Sequence, residues 1–205
     1  MKSSEHIATH VHVPKIIIIE GVDNVGKSSL VSKIIDQHGY FTKVKFDKPQ
    51  RCEYYKGDLQ RYQRDSFFNT FEMIKDAVRP GSQPFSPRFI FDRCHLGELV
   101  YSPLYRGYSG DYVFDQERQA LGNIGVIAAS SIRLILLTAY DPSKLPDDGK
   151  SFDTTKISME QSMFLDGFKR SCIRNKVVVN VQTPDGEFRS LDDIYKDALF
   201  GDVTK

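Results

Sequence analysis

Residues 16–30 read IIIIEGVDNVGKSSL. Four β-branched isoleucines in an uninterrupted run suit a strand buried on both faces, as in a parallel sheet. The next eight residues, Gly21-Val22-Asp23-Asn24-Val25-Gly26-Lys27-Ser28, match G-x-x-x-x-G-K-[ST] at every fixed position. Each residue type in that pattern has a physical task. The glycines let the backbone curl until several N–H groups face one concavity. Lys27 brings a positive charge to the outer phosphates, and the Ser28 hydroxyl is placed to ligate Mg²⁺. Leu30, Val31, Ile34 and Ile35 are then apolar at helical spacing, so a helix starts at the loop and adds the partial positive charge of its N-terminus. The strand before and the helix after are the context that makes this pattern a phosphate-binding loop, formed by Gly21 to Ser28 with Ser29 behind it.

Outward from that loop, strands and helices alternate. The pattern predicts strands at about residues 15–20, 40–46, 88–92, 132–139 and 176–181, and helices at 27–37, 59–78, 114–130, 159–173 and 191–200. The stretch LGELVYSPLYRGYSG reads as a helix or turn followed by a loop. Such alternation predicts an α/β fold of the P-loop NTPase type, a parallel sheet of about five strands with helices on both faces. The chain of 205 residues reads as one domain over 1–205, with a flexible tail at 1–14 and a polar lid loop at 141–156. His6, His10 and His12 belong to the solvated tail. There is no internal repeat.

Composition narrows the function. A net charge of +1 gives no support to a general polyanion-binding protein, so a basic site must be local. Cys52, Cys94 and Cys172 are scattered, with no C-x-x-C pair, which predicts reduced thiols and a cytoplasmic setting. No apolar run approaches membrane-spanning length, and the opening residues do not resemble a signal peptide.

In open α/β sheets ligands bind beyond the carboxyl ends of the strands. The phosphate loop, the segment after Phe46, Asp92-Arg93 after Phe91, and the loop after Ala139 all fall there. An acidic residue at Asp92 can hold Mg²⁺ opposite Ser28, and Arg93 stands beside it.

These two motifs carry a resemblance. E-G-x-D-x-x-G-K-[ST] at Glu20–Ser28 and D-R at Asp92-Arg93, in matching chain order, resemble the thymidylate kinase family within the P-loop deoxynucleotide and deoxynucleoside kinases. The segment FDRCHLGELVYSPLYRG, residues 91–107, is similar to phage-encoded thymidylate kinase-like proteins. The resemblance covers about residues 15–182 in element order. It implies transfer of the γ-phosphoryl group of ATP to a deoxynucleoside 5′-monophosphate in nucleotide biosynthesis, with a pyrimidine such as dTMP or a modified dUMP as acceptor. It also implies Mg²⁺, a homodimer and, for a phage protein, the host cytoplasm. By the same resemblance Lys27 and the loop backbone hold the donor phosphates, Ser28 ligates the metal, and Asp92 supports the metal or the acceptor sugar. Asp23 faces the acceptor sugar or phosphate, and Arg93 clamps phosphate between donor and acceptor. The acceptor site draws on Lys45, Lys48 and Arg51 after the second strand, on Gln63, Arg64, Phe67, Phe68, Asn69 and Phe71 of the helix at 59–78, and on Tyr101, Tyr105 and Arg106. The phenylalanines and tyrosines also read as core packing.

The chain departs from the family in two respects. The basic acceptor-phosphate segment after the second strand is altered and reads KFDKPQR, offering Lys45, Lys48 and Arg51, and an arginine is missing from the phosphate loop and the lid. The family places an arginine in the phosphate loop or the lid. Here the loop carries Asp23, Asn24 and Val25, and the lid carries Lys144, Lys150 and Lys156. Either a lysine substitutes, or Arg93, Arg106, Arg170 or Arg174 serves, or the transfer chemistry differs. Two other functions stay open on the sequence. One is a kinase for a nucleoside or a hydroxymethylated pyrimidine, free or in DNA, which benefits from a general base such as Glu53 or Glu98. The other is a regulatory protein that binds a nucleotide without turning it over. A DNA acceptor favours a basic groove, and the net charge does not favour one. The guanine-reading motif N-K-x-D is absent, which leaves ATP as the donor.

Overall fold

A computed structural model describes residues 13–46, 55–79, 81, 87–147, 149 and 153–203. Lys48, Arg51, Cys52, Glu53, Lys150 and the three tail histidines lie outside the described residues.

The isoleucine run forms β1 (Ile16–Glu20), and all five of its residues are buried. It sits at the centre of a five-stranded sheet in the order β2-β3-β1-β4-β5. The other strands are β2 (Phe41–Lys45), β3 (Arg88–Asp92), β4 (Ile132–Thr138) and β5 (Lys176–Asn180), and every neighbouring pair is parallel. Sequence follows position in the sheet. The inner strands β1 and β4 are continuously apolar or buried, whereas the edge strand β2 has no fully buried residue and the edge strand β5 alternates buried with half-buried residues. Register aligns Ile19 of β1 with Asp92 of β3, and Lys45 of β2 with Asp92, so three strand ends meet on one side of the sheet.

Helices α1 (Lys27–His38), α2 (Leu59–Val78), α3 (His95–Tyr105), α4 (Tyr112–Leu121), α5 (Val126–Ser130), α6 (Ile157–Arg170) and α7 (Leu191–Phe200) cover the sheet. Each longer helix buries one stripe. On α2 it is Gln63, Phe67, Thr70, Phe71, Ile74, Ala77 and Val78, three or four residues apart. Asp58 caps the start of α2 by accepting from the Arg61 amide at 3.0 Å, and Ser190 caps α7 by accepting from the Asp193 amide at 3.1 Å.

Two expectations change. The helix predicted over 114–130 is two helices, because Gly122-Asn123-Ile124-Gly125 interrupts it and Gly125 is extended. Glycine is a poor helix former, and here two flank the break. Val13, within the stretch expected to be a tail, is buried and its carbonyl accepts from Arg88. The loop at 141–156 contains two short 3₁₀ turns, Pro142–Lys144 and Thr154–Lys156, each opened by an aspartate cap. Among the described residues no helix is long and apolar enough to cross a membrane, and Cys94 and Cys172 are free thiols.

Candidate active site

The site is built where β1, β3 and β4 end. After Glu20 the chain turns through Gly21, whose φ of +140° few side chains tolerate. A Cβ there would lie 2.5 Å from the Leu137 carbonyl oxygen of β4, so only glycine lets the loop lie this close to the sheet. Asn24 and Gly26 also have positive φ, and Gly26 hands the chain to α1 in a left-handed conformation. Val22 and Val25 are buried under the loop, while Gly26, Ser28 and Ser29 face outward.

Lys27 is buried, and its ammonium closes the loop on itself. Nζ donates to the Gly21 carbonyl at 2.8 Å and to the Val22 carbonyl at 2.5 Å. Burial first, and the neighbouring Arg93 charge second, push this lysine down to about 8, against the opposing pull of Asp23, Glu20 and Asp92.

Ser28 and Asp92 meet across 64 residues of sequence: the serine hydroxyl donates to Asp92 Oδ2 at 2.8 Å. Lys43 of β2 also reaches Asp92 Oδ2, at 3.4 Å. The other carboxylate oxygen, Oδ1, is buried without a hydrogen-bond partner. A buried carboxylate with one oxygen unpaired, next to an outward hydroxyl, suits a hard cation held by few protein ligands and completed by phosphates. Among the described residues there is no group of three or more His, Cys, Asp and Glu that could hold a metal by itself.

Arg93 follows with φ +73°, a left-handed backbone rare for a long side chain. Its guanidinium donates to Asp23 Oδ1 at 2.7 Å, which brings the second motif onto the phosphate loop. Burial works against the Arg93 charge, but the hydrogen bond and charge of Asp23, with Asp92 behind, hold it above the ordinary range. Of the four arginines weighed for the missing loop or lid arginine, Arg93 is bonded to the phosphate loop. Arg106 is engaged with Glu98, Arg170 with Asp111 and Asp166, and Arg174 is exposed.

The acceptor residues separate into groups. Gln63, Arg106 and Tyr112 converge on the buried carboxylate of Glu98. Gln63 Nε2 donates at 3.2 Å, Arg106 Nη1 at 2.5 Å and Tyr112 Oη at 2.8 Å. Arg64 joins the edge of this cluster, its guanidinium 4.5 Å from the centre of the Tyr112 ring. Tyr101 is buried, tilted against Tyr105 at 6.2 Å and edge-on to Phe164 at 5.9 Å. Tyr105 donates to Glu160 Oε1 at 2.5 Å. Lys45 lies exposed at the end of β2. Phe67 is packed face to face with Phe46 at 5.1 Å and is 2% exposed, so it serves the core rather than an open stacking platform. Phe68 is 43% exposed. A cavity of about 170 Å³ between the loop and the 141–156 segment is lined by Asn24, Pro142, Leu145, Thr154 and Ile157. A larger groove of about 410 Å³, between α3 and α6, contains none of the motif residues.

Glu20, Lys43 and Glu98 are the residues sequence reasoning misses or leaves without partners. Lys43 had a visible signal, because it shares a strand face with Lys45 at a spacing of two. Glu20 is part of the motif but has no legible role there, and Glu98 has no local signature.

No protein-family model and no curated protein matches the chain. Solved structures do. YorR of Bacillus subtilis, crystallised in complex with phosphorylated GDP, matches with a TM-score of 0.53 and 18% identity, over 89% of this chain and 92% of its own. Thymidylate kinase of Candida albicans matches with a TM-score of 0.54 and 15% identity, over 90% of this chain and 89% of its own. The fold shared with these structures is a P-loop NTPase-type α/β fold. At these identities the likeness carries the architecture, and the chemistry rests on the residues.

Proposed function

We propose that this protein transfers the γ-phosphoryl group of ATP to a deoxynucleoside 5′-monophosphate, with a pyrimidine such as dTMP or a modified dUMP as acceptor, and releases the diphosphate. The observation that carries this reading is the Arg93–Asp23 contact of 2.7 Å, with the Ser28–Asp92 pair beside it. It sets a guanidinium at the mouth of a phosphate loop, where charge builds on a phosphoryl group in transfer. The shared fold with a thymidylate kinase, and with a protein crystallised with phosphorylated GDP, supports the same reading.

In this reading the amides of Gly21 to Ser28 and the Lys27 ammonium hold the donor phosphates. Lys27 exchanges its two loop carbonyls for phosphate oxygens when nucleotide enters. Ser28 and Asp92 would hold Mg²⁺, which when bound would neutralise charge on the phosphates. Arg93 spans donor and acceptor phosphates, and its planar fork suits paired phosphate oxygens. In the step the bond from the γ-phosphorus to its bridging oxygen breaks, and a bond to an acceptor phosphate oxygen forms. Asp23 orients Arg93 and faces the acceptor. Gln63, Arg64, Tyr101, Arg106 and Lys45 bound the acceptor side.

A phosphate acceptor needs no proton removed, whereas a hydroxyl acceptor benefits from a general base. Glu98, one sequence candidate for that base, already accepts from Gln63, Arg106 and Tyr112. Buried and already accepting from three donors, Glu98 is poorly placed to take a proton from a hydroxyl acceptor, which favours a monophosphate over a nucleoside or DNA hydroxyl. The test is an acceptor screen with ATP and Mg²⁺. Each deoxynucleoside, each deoxynucleoside monophosphate, and duplex DNA with and without hydroxymethylated pyrimidines would be offered, with ADP release and product mass recorded. Turnover on a pyrimidine monophosphate is expected. Phosphate appearing on a nucleoside or on DNA, with none on any monophosphate, would overturn the acceptor assignment. ATP binding without turnover on any acceptor would point to a regulatory protein.

A further inference from the structure

The left-handed conformation of Arg93 has to be held by something. Its own amide donates to the Ile19 carbonyl at 3.0 Å. The two amides that flank His95 just beyond it, those of Cys94 and Leu96, both donate to Glu20 Oε1, at 3.0 and 2.8 Å. Ile19 and Glu20 are the last residues of β1. The end of one strand therefore fixes the backbone at Arg93 and immediately after it, while Asp23, three residues beyond Glu20, fixes its side chain.

Glu20 is fully buried, and its Oε2 has no hydrogen-bond partner. A buried carboxylate with an unpaired oxygen is costly, and nothing in the packing of β1 calls for one. Its burial also holds this carboxyl above the ordinary range, against the charges of His95 and Lys27 and the bonds from Leu96 and Cys94. The specific work its geometry performs is on the turn that carries Arg93.

We infer that Glu20 is a positioning residue for Arg93, anchoring the turn after β3 so that the guanidinium stays over the phosphate loop. This rests on the proposed phosphoryl transfer, in which Arg93 spans the two phosphates. Glu20 itself is sealed from the site and touches no substrate.

Three variants test it. Glu20→Ala removes the acceptor of both amides, and the turn relaxes toward an ordinary backbone. A displacement of about 1 Å at a reacting group costs on the order of a hundredfold, so kcat is expected to fall by that factor while KM for ATP stays within about threefold. Glu20→Gln retains a side-chain oxygen for both amides, and its kcat is expected within about threefold of the parent. Glu20→Asp keeps the charge but withdraws it by one methylene, with an expected loss of about tenfold. This variant also serves if Glu20→Ala does not fold.

A double-mutant cycle separates positioning from general damage. In an Arg93→Ala background, Glu20→Ala is expected to cost no further kcat. Additive losses, parental kcat in both Glu20→Ala and Glu20→Asp, or a Glu20→Gln enzyme as impaired as Glu20→Ala would each overturn the inference. If the parent protein turns over no acceptor, the proposed function fails and the anchor is still read by NMR. The Arg93 side-chain N–H resonance, paired to Asp23, should be lost or broadened in Glu20→Asp and kept in Glu20→Gln. An unchanged resonance in Glu20→Asp would overturn the anchor.

Discussion

At the scale of the residue, Lys27 shows how far one ammonium depends on its surroundings. It is buried and bonded to two loop carbonyls. Its depressed value near 8, against 10.5 for the free side chain, means that the folded protein binds fewer protons than the unfolded chain between those limits. The charged lysine thus costs stability below about pH 8, and the cost is relieved as pH rises through that window. Phosphate oxygens reverse the balance by favouring the ammonium. Nucleotide binding near pH 8.5 should therefore take up protons, measured by calorimetry in buffers of different ionisation enthalpy. Lys27→Ala should abolish that uptake, keep the fold, and lower the rate by roughly a hundredfold or more. Full activity in Lys27→Ala would sink the assignment of the loop.

At the scale of the element, α3, α4 and the turn after α6 are joined by a buried ion pair. His95 Nε2 lies 3.2 Å from Glu117 Oε1, and both side chains are wholly buried. Glu117 also accepts from the Ser171 hydroxyl at 2.5 Å and from the Cys172 amide at 2.9 Å. Phe71 and Phe114 close over the imidazole edge-on, with the Cys94 thiol beside it and the Glu20 carboxylate near enough to feel its charge. Burial works against the His95 charge, but Glu117 and Cys94 outweigh it and raise the imidazole well above its ordinary 6.5. Burial likewise opposes the Glu117 charge, and His95, Ser171 and the Cys172 amide bring that carboxyl below the usual range. The histidine's contribution to stability is thus complete below about pH 6.5 and fades as pH rises through its folded value. The glutamate's is present above its ordinary range and fades in acid. Removing one partner of such a pair leaves a buried charge, at a cost of about 3–5 kcal/mol. His95→Gln should lose stability by that order near pH 6, followed by urea unfolding, and should lose less at alkaline pH. An equal loss at every pH would mean that packing, not charge, holds these elements.

At the scale of the whole molecule, the motif residues and the anchor of the C-terminal helix sit at opposite ends of the sheet. The motif residues gather at the carboxyl ends of the strands. At the other end, Arg133 near the start of β4 is buried and donates to the Ala198 carbonyl at 2.6 Å, Asn175 Oδ1 at 2.7 Å and the Gly201 carbonyl at 2.8 Å. One side chain thereby ties the C-terminus of α7 and the turn before β5 to the centre of the sheet. Arg133→Met keeps the apolar stem but leaves these acceptors unpaired, so a loss of about 2–4 kcal/mol is expected. Turnover at 25 °C should be unchanged, because no motif residue contacts it. A kinetic defect without loss of stability would contradict this division.

What the sequence by itself determined is local. The isoleucine run, the eight-residue loop and the apolar spacing after it define β1, the phosphate loop and α1, because strand period, helix period and loop chemistry each act over a few residues. The same holds for α2 and α7, whose bounds follow directly from their apolar stripes. The break between α4 and α5 is less legible, since glycine weakens a helix without forbidding it. The tertiary structure alone decided which distant groups meet. It set Arg93 on Asp23, Glu20 under the turn of Arg93, and Lys43 on Asp92. It also gathered Gln63, Arg106 and Tyr112 on Glu98, and turned Phe67 into the core. These pairings join residues far apart in the chain. Their partners are chosen by strand order, register and burial, and a buried carboxylate has no signature in its neighbours along the chain, because what stabilises it comes from elsewhere in space.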